Sequence, residues 1–194
     1  MNRDHEDLDV IRSEVRRLCD KYGNEYWRSL EPSTYPEEFV TELTAQGWLG
    51  ALIPTEYGGG SLSLGGASVI LEEISASGGN PSACHAQMYV MGTVLRHGSD
   101  EQKKEYLPKV ADGTLRLQAF GVTEPAAGSN TTMIKTKAER DGDIYKINGQ
   151  KIWTSFGDQA DFCYMICRTS SDGPPHKGIS EIVVPMDLPG IEVR

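Results

Sequence analysis

The apolar residues of this 194-residue chain change their spacing once, between Gly113 and Leu117, and that change decides what the chain can fold into. Before it the spacing is helical. Leu8, Ile11, Val15, Leu18, Tyr22 and Tyr26 recur every three or four residues and predict one amphipathic helix of about five turns. Pro36 opens a second predicted helix, PEEFVTELTAQG, with Gly47 as its stop. After a turn-rich connector over residues 48–64, Ala67, Ile70, Leu71 and Ile74 mark a third helix, broken by Ser77-Gly78-Gly79-Asn80-Pro81. Two more are predicted over residues 82–96 and 100–110, the last N-capped by Asp100. After Leu117 the pattern alternates in short runs: RLQAFGV, IKTKAER, DIYKING, KIWTS, DFCYMICRTS, ISEIVVPM and IEVR. Asp141-Gly142 and Asn148-Gly149 are hairpin signals between such runs. The expectation is an all-α helical domain over residues 1–116, then an antiparallel β domain over 117–194 with Trp153 on a strand.

Composition narrows the function. A net charge of −9, with basic residues only in short pairs such as Arg16-Arg17 and Lys103-Lys104, argues against a nucleic-acid partner. It leaves phosphate ligands possible, because loop N–H groups and helix N-termini bind anions locally. No apolar run approaches the ~20 residues of a membrane span, and MNRDHEDLDV is too polar for a signal peptide, so a cytoplasmic protein is expected. Cys19, Cys84, Cys163 and Cys167 form no C-x-x-C and no metal-ligand spacing with histidine, so they read as reduced core thiols. Cys163 and Cys167, four apart in FCYMICR, belong on one face of a strand. No metal site is expected.

The chemistry concentrates between Gln118 and Asp161. QAFGVTEPAAGSN follows an apolar strand start with a loop of small residues, which lets backbone approach a bulky anionic ligand. Thr123, Ser129 and Asn130 can present hydroxyls, an amide and backbone N–H groups to it. The second block, INGQKIWTSFGDQAD, sets Trp153 beside Thr154 and Ser155. An indole next to two hydroxyls suits a flat heteroaromatic ring stacked on its face and hydrogen-bonded at its edge. Together the blocks form a candidate site for a large planar anionic cofactor.

These two blocks, in this order and spacing, closely resemble the TEPxAGS loop and the K-x-W-[IT]-[TS] segment of the acyl-CoA dehydrogenase flavoproteins. The resemblance covers essentially the whole chain. It takes in GWLGALIPTEYGGGSLS, GGASVILEEIS, the helix beginning PSACHAQ, and HGSDEQKKEYLPKVADG. It implies a helical domain, then a β-barrel-like domain, then a second helical bundle. Arg194 falls about half way through a family member, so the β domain is expected to be incomplete and the chain truncated before that bundle.

The resemblance also implies FAD as cofactor, an acyl-CoA substrate, and electron-transfer flavoprotein or a similar acceptor. It implies a homo-oligomer or a complementing subunit as well. Phe120, Val122 and Thr123 fall where the family's strand lies against the isoalloxazine, with Thr123 donating toward the pyrimidine side. Gly128 and Ser129 match positions at the cofactor phosphates, and Ser129 also at the acyl-CoA. Trp153 would pack on the flavin, with Thr154 and Ser155 at its central edge near N5. Ala126 stands where many relatives have Gly, Asn130 where many have Asp, and Thr154-Ser155 where Ile-Thr is common.

The family reaction takes an α-proton from an acyl-CoA onto a carboxylate while a β-hydride passes to flavin N5, giving the trans-2-enoyl-CoA. No carboxylate here matches that base, which is expected beyond residue 194, so no catalytic residue is assigned and the chain alone is expected to be inactive. The alternative is a non-catalytic module of the same fold that binds flavin, acyl-CoA or a partner. Blander roles stand beside each assignment. Trp153 could be a core aromatic, and Glu124 a loop holder rather than a base. Met88 and Tyr89 read as helix packing before acyl-pocket lining, and His85 and His97 as solvated or structural.

Overall fold

A computed structural model describes residues 3–32 and 34–194, the first five of these by backbone alone. The chain divides at Arg116 into two compact units, residues 1–116 and 117–194.

Among the described residues the first unit carries six α-helices: α1 (Arg3–Cys19), α2 (Asn24–Ser29), α3 (Glu37–Ala45), α4 (Leu64–Ala76), α5 (Ser82–His97) and α6 (Asp100–Ala111). The stretch expected to run unbroken to Tyr26 is thus two helices with a turn between them. The Trp27 indole donates to the Tyr22 carbonyl at 3.1 Å, and Tyr22, Tyr26, Trp27 and Phe39 meet edge-on with ring centroids 4.8 to 5.2 Å apart. Such packing outweighs the small gain from one more helical turn.

Pro36 precedes α3, which buries Phe39, Val40 and Leu43, and Gly47 at φ +81 turns the chain away from its end. The expected cap of α6 is corrected by one residue. Ser99, not Asp100, is the N-cap: its hydroxyl accepts from Gln102 N at 3.2 Å, and Gln102 Oε1 accepts from Ser99 N at 2.9 Å. Asp100 is the first helical residue, where its charge suits the positive end of the macrodipole.

Helix α1 packs on α4. Ile11, Val15 and Leu18 of α1 and Ile70 and Ile74 of α4 are buried, each such side chain contributing about 1.5–3 kcal/mol. Buried Glu73 on α4 is paired by Arg12 and Arg16 from α1. No helix among the described residues is long and apolar enough to cross a membrane.

The second unit is built on a five-stranded sheet of β1 (Leu117–Gly121), β2 (Lys137–Asp141), β3 (Ile144–Asn148), β4 (Phe162–Arg168) and β5 (Ile179–Pro185). Strand β4 is its spine. It runs antiparallel to β5 from Phe162↔Pro185 to Arg168↔Ile179. It runs parallel to β1, and meets β2 in parallel at Lys137↔Arg168. Four of its seven residues are buried, as suits a strand with neighbours on both edges.

The expected antiparallel, barrel-like domain is therefore corrected to an open mixed sheet. Asp141-Gly142 does make the β2–β3 hairpin, with Gly142 at φ +62. Asn148-Gly149 does not make another; β3 ends there and a long connection begins. The runs KIWTS and IEVR are not strands. Trp153 at φ +62 and Phe156 at φ +56 take the left-handed backbone, which no strand accommodates.

Candidate functional site

Both motif blocks lie in connections that lead into the sheet: residues 122–136 between β1 and β2, and 149–161 between β3 and β4. The first loop leaves β1 through Val122 and Thr123 and folds on itself at Glu124. Glu124 N donates to the Ala127 carbonyl at 2.9 Å and Ala127 N returns to the Glu124 carbonyl at 3.1 Å. Ala127 is buried with Ile134 and Ile166, and Phe120 and Val122 pack on that cluster. Gly128 stands in open space, and Ser129 is exposed beside it. Asn130 accepts from Thr132 N and begins the turn that follows.

Glu124 is the loop's organiser. It is only 5% exposed. Its carboxylate accepts from Lys135 N at 2.7 Å, from Thr136 N at 2.9 Å and from Lys151 Nζ at 2.9 Å. Burial by itself would raise this carboxyl's pKa; the donors from Thr136, Lys135 and Lys151 reverse that and hold it down to about 2. The Thr136 hydroxyl, although close by, makes no well-directed hydrogen bond, so Thr136 serves the carboxylate through its backbone N–H. A carboxylate so bound is a poor proton acceptor at neutral pH.

The second loop is tied to the first. Lys151 Nζ also donates to the Val122 carbonyl at 3.1 Å, and Ile152 N donates to the Thr123 carbonyl at 2.8 Å. Lys151 entered the motif reading only as the K of K-x-W, with no role assigned, and Ile152 as its variable position. The available signal was an acid and a base, Glu124 and Lys151, one in each of two blocks otherwise made of small, polar and aromatic residues.

Two residues beyond Lys151, Trp153 projects with 86% of its surface exposed. It is neither on a strand nor in a core, so both of those expectations are corrected. Left-handed backbone costs a non-glycine residue about 1–2 kcal/mol, and here it holds a large apolar ring in solvent. The Thr154 hydroxyl beside it is buried and unpartnered. The hydroxyls of Thr123, Ser129 and Ser155 likewise have no hydrogen-bond partner among the described residues.

The structure thus joins Val122 and Thr123 to the second loop through its backbone and Lys151, while Phe120 packs on the Ala127–Ile134–Ile166 cluster. No hydrogen bond or ring contact among the described residues joins Gly128 or Ser129 to Trp153, Thr154 or Ser155. Burial pushes the Cys163 thiol, under β1, up to about 11, and all four cysteines are buried and unpaired. In the first unit, Met88 is buried, while His85 and Tyr89 stack edge-on along the exposed side of α5 at 5.2 Å.

Known proteins account for this arrangement. The N-terminal domain model of the acyl-CoA dehydrogenases matches residues 5–114, and their middle-domain model matches residues 119–194. The acyl-CoA dehydrogenase FadE12 of Mycobacterium tuberculosis is 36% identical over 190 residues, which cover 95% of this chain and 48% of that protein. The crystal structure of an acyl-CoA dehydrogenase from Geobacillus kaustophilus superposes with a TM-score of 0.88 at 32% identity, over 95% of this chain and 49% of that one. A glutaryl-CoA dehydrogenase from Mycobacterium smegmatis, solved in complex with FADH2, superposes at 0.79 with 30% identity, over 98% of this chain and 47% of that one. The chain spans about half the length of these relatives.

Proposed function

This chain belongs to the acyl-CoA dehydrogenase family, and on that premise we propose that it supplies part of the flavin and acyl-CoA site of an enzyme oxidising an acyl-CoA thioester to its trans-2-enoyl-CoA. The observation that carries this reading is Trp153, an exposed indole fixed by strained backbone beside the unpartnered buried hydroxyl of Thr154. A buried hydroxyl without a partner costs about 1–3 kcal/mol. Both costs are offset when a flat ring with edge acceptors covers the indole and accepts a hydrogen bond from the hydroxyl. The residues present therefore fit FAD, which when bound supplies the hydride acceptor.

In this reading Thr123 donates to the pyrimidine side of the ring from a backbone fixed by Ile152. Phe120 and Val122 flank the ring, Trp153 covers it, and Thr154 and Ser155 donate at its central edge. Gly128 leaves room for the cofactor phosphates, and Ser129 donates to them and to the acyl-CoA. Glu124 is already bound by three donors and does not act as the base. The α-proton then goes to a carboxylate outside the two motif loops. Electrons leave to electron-transfer flavoprotein or a similar acceptor, and a second copy or a complementing subunit completes the site. Four buried free thiols suit a reducing compartment, and we assign the enzyme to the cytoplasm.

FAD titration followed by the flavin absorption bands tests the reading. The wild-type protein should bind FAD, and Trp153→Ala should bind it about tenfold more weakly, the equivalent of about 1.4 kcal/mol of lost stacking. Equal affinities, or no binding by the wild type, would overturn it. Dye reduction by a series of acyl-CoAs, with the complementing subunit present, then identifies the substrate, and FAD binding without any turnover even then would favour the non-catalytic module.

A further inference from the structure

Lys151 is not among the residues assigned to the cofactor, yet its side chain is only 7% exposed. Lysine is almost never so buried unless paired, because its ammonium loses the solvation that water provides. An apolar side chain would fill the same space with no charge to desolvate. What distinguishes the lysine is where its bonds land. Nζ reaches the Val122 carbonyl at 3.1 Å and Glu124 Oε1 at 2.9 Å, on either side of Thr123, while the adjacent Ile152 N holds the Thr123 carbonyl itself at 2.8 Å.

Thr123 is thus bracketed by three consecutive tethers, all from residues 151 and 152. The same lysine stands two residues ahead of Trp153 in a short stretch whose backbone is already strained. Its stem lies along the end of β1: a Cβ on Gly121 would come within 3.3 Å of Lys151 Cγ, so the glycine leaves the space that the stem uses. Through Glu124 the pair also reaches Lys135 and Thr136, at the far end of the first loop.

We propose that Lys151 is a positioning residue that holds Thr123 and Trp153, carried by two separate connections, in the one register in which both grip the same flavin ring. This rests on the flavin reading above. It adds that the two halves of the site are coupled through one buried ammonium. Without that charge only the Ile152 backbone bond to Thr123 ties the loops, and they no longer hold one register.

The test compares Lys151→Met, which keeps the stem and removes the charge, with Lys151→Arg, in the whole protein. Without FAD, Lys151→Met should speed amide hydrogen exchange at residues 122–127 and 152–157 while leaving the β2–β3 hairpin unchanged. With FAD, its dissociation constant should rise about tenfold or more, as loss of a charged hydrogen bond implies, and Lys151→Arg should recover part of that. The discriminating result is a double-mutant cycle. In the Lys151→Met background, Trp153→Ala should lose most of its own tenfold effect, because the ring is no longer held in register.

A lysine that only stabilises the fold would leave that ratio intact, and an intact ratio overturns the proposal. Unchanged exchange in the two loops overturns it as well. If the wild type binds no FAD, the flavin reading falls, and the exchange comparison alone decides whether the lysine couples the loops. If Lys151→Met does not fold, Lys151→Met/Glu124→Leu removes both charges and restores an apolar contact. That double variant binding FAD as tightly as the wild type would refute the proposal.

Discussion

Thr136 stands in the space that any side chain at Gly149 would need: a Cβ there would lie 2.2 Å from the Thr136 hydroxyl oxygen and 2.6 Å from its Cα. The end of β3 and the approach to β2 therefore meet backbone to backbone, just where the second motif loop begins. Gly149→Ala cannot be accommodated by rotating a side chain, because one of the clashing atoms is main chain. It should cost about 1–3 kcal/mol, toward the upper end of what overpacking usually costs. Urea denaturation checks it, and Gly128→Ala, with open space around it and no left-handed φ, serves as the unclashed control.

Acid should loosen the first motif loop in a defined window. The Glu124 carboxyl is held at about 2, well below its ordinary value of 4.5. A depressed folded pKa contributes stability above the unfolded value, and that contribution disappears as pH falls through the folded value. The loss should run from about pH 5 down to about pH 2. Glu124→Gln should be less stable than the wild type at pH 7, since it leaves Lys151 buried without a counter-charge. The difference between the two should shrink as pH falls through that window. Parallel denaturation midpoints from pH 7 to pH 2 would contradict the assignment.

Substitutions at Trp153 should reverse the usual ranking of glycine and alanine. In ordinary strand or helix, glycine is the worse by about 0.5–1 kcal/mol. At φ +62 alanine keeps the left-handed strain and glycine does not. Trp153→Gly should therefore be the more stable of the two, although neither should hold FAD as the wild type does. Thermal melts of the two variants decide the point.

The N-terminus of α6 offers a test of which residue caps it. Ser99→Ala removes the hydroxyl that accepts from Gln102 N, leaving only the backbone half of the reciprocal pair, and should cost about 1 kcal/mol. Asp100→Ala removes only a favourable charge in the first turn, typically 0.3–1 kcal/mol, and that loss should fade in high salt. Equal, salt-sensitive losses at both positions would mean that the charge, not the capping box, fixes the helix start.

The helices of the first unit were legible because their cores repeat every three or four residues, as Phe39, Val40 and Leu43 do in α3. The break before α2 was not, because it depends on rings from separate helices, Trp27 and Phe39 among them, meeting across space. KIWTS alternates as a strand should, and only the left-handed backbone at Trp153 reveals that it is not one. The parallel pairing of β1 with β4 was hidden for a related reason: those strands are far apart in sequence and no short turn announces them. The residue types of the candidate site could be read directly, since small residues, hydroxyls and an indole imply their chemistry wherever they stand. The strut between the two loops could not, because an ion pair across two connections belongs to the fold and to neither motif.

The exposure of Trp153 has a practical side. Trp27 and Trp48, the other two indoles, are partly covered in the first unit, whereas Trp153 stands almost wholly in water. Its emission should sit at the red end of the protein's fluorescence and be the part most accessible to a dissolved quencher such as iodide. Anything that settles on the ring will shield it and alter its light. The residue on which the cofactor reading depends is thus a built-in optical reporter, able to register occupancy of the site without a label.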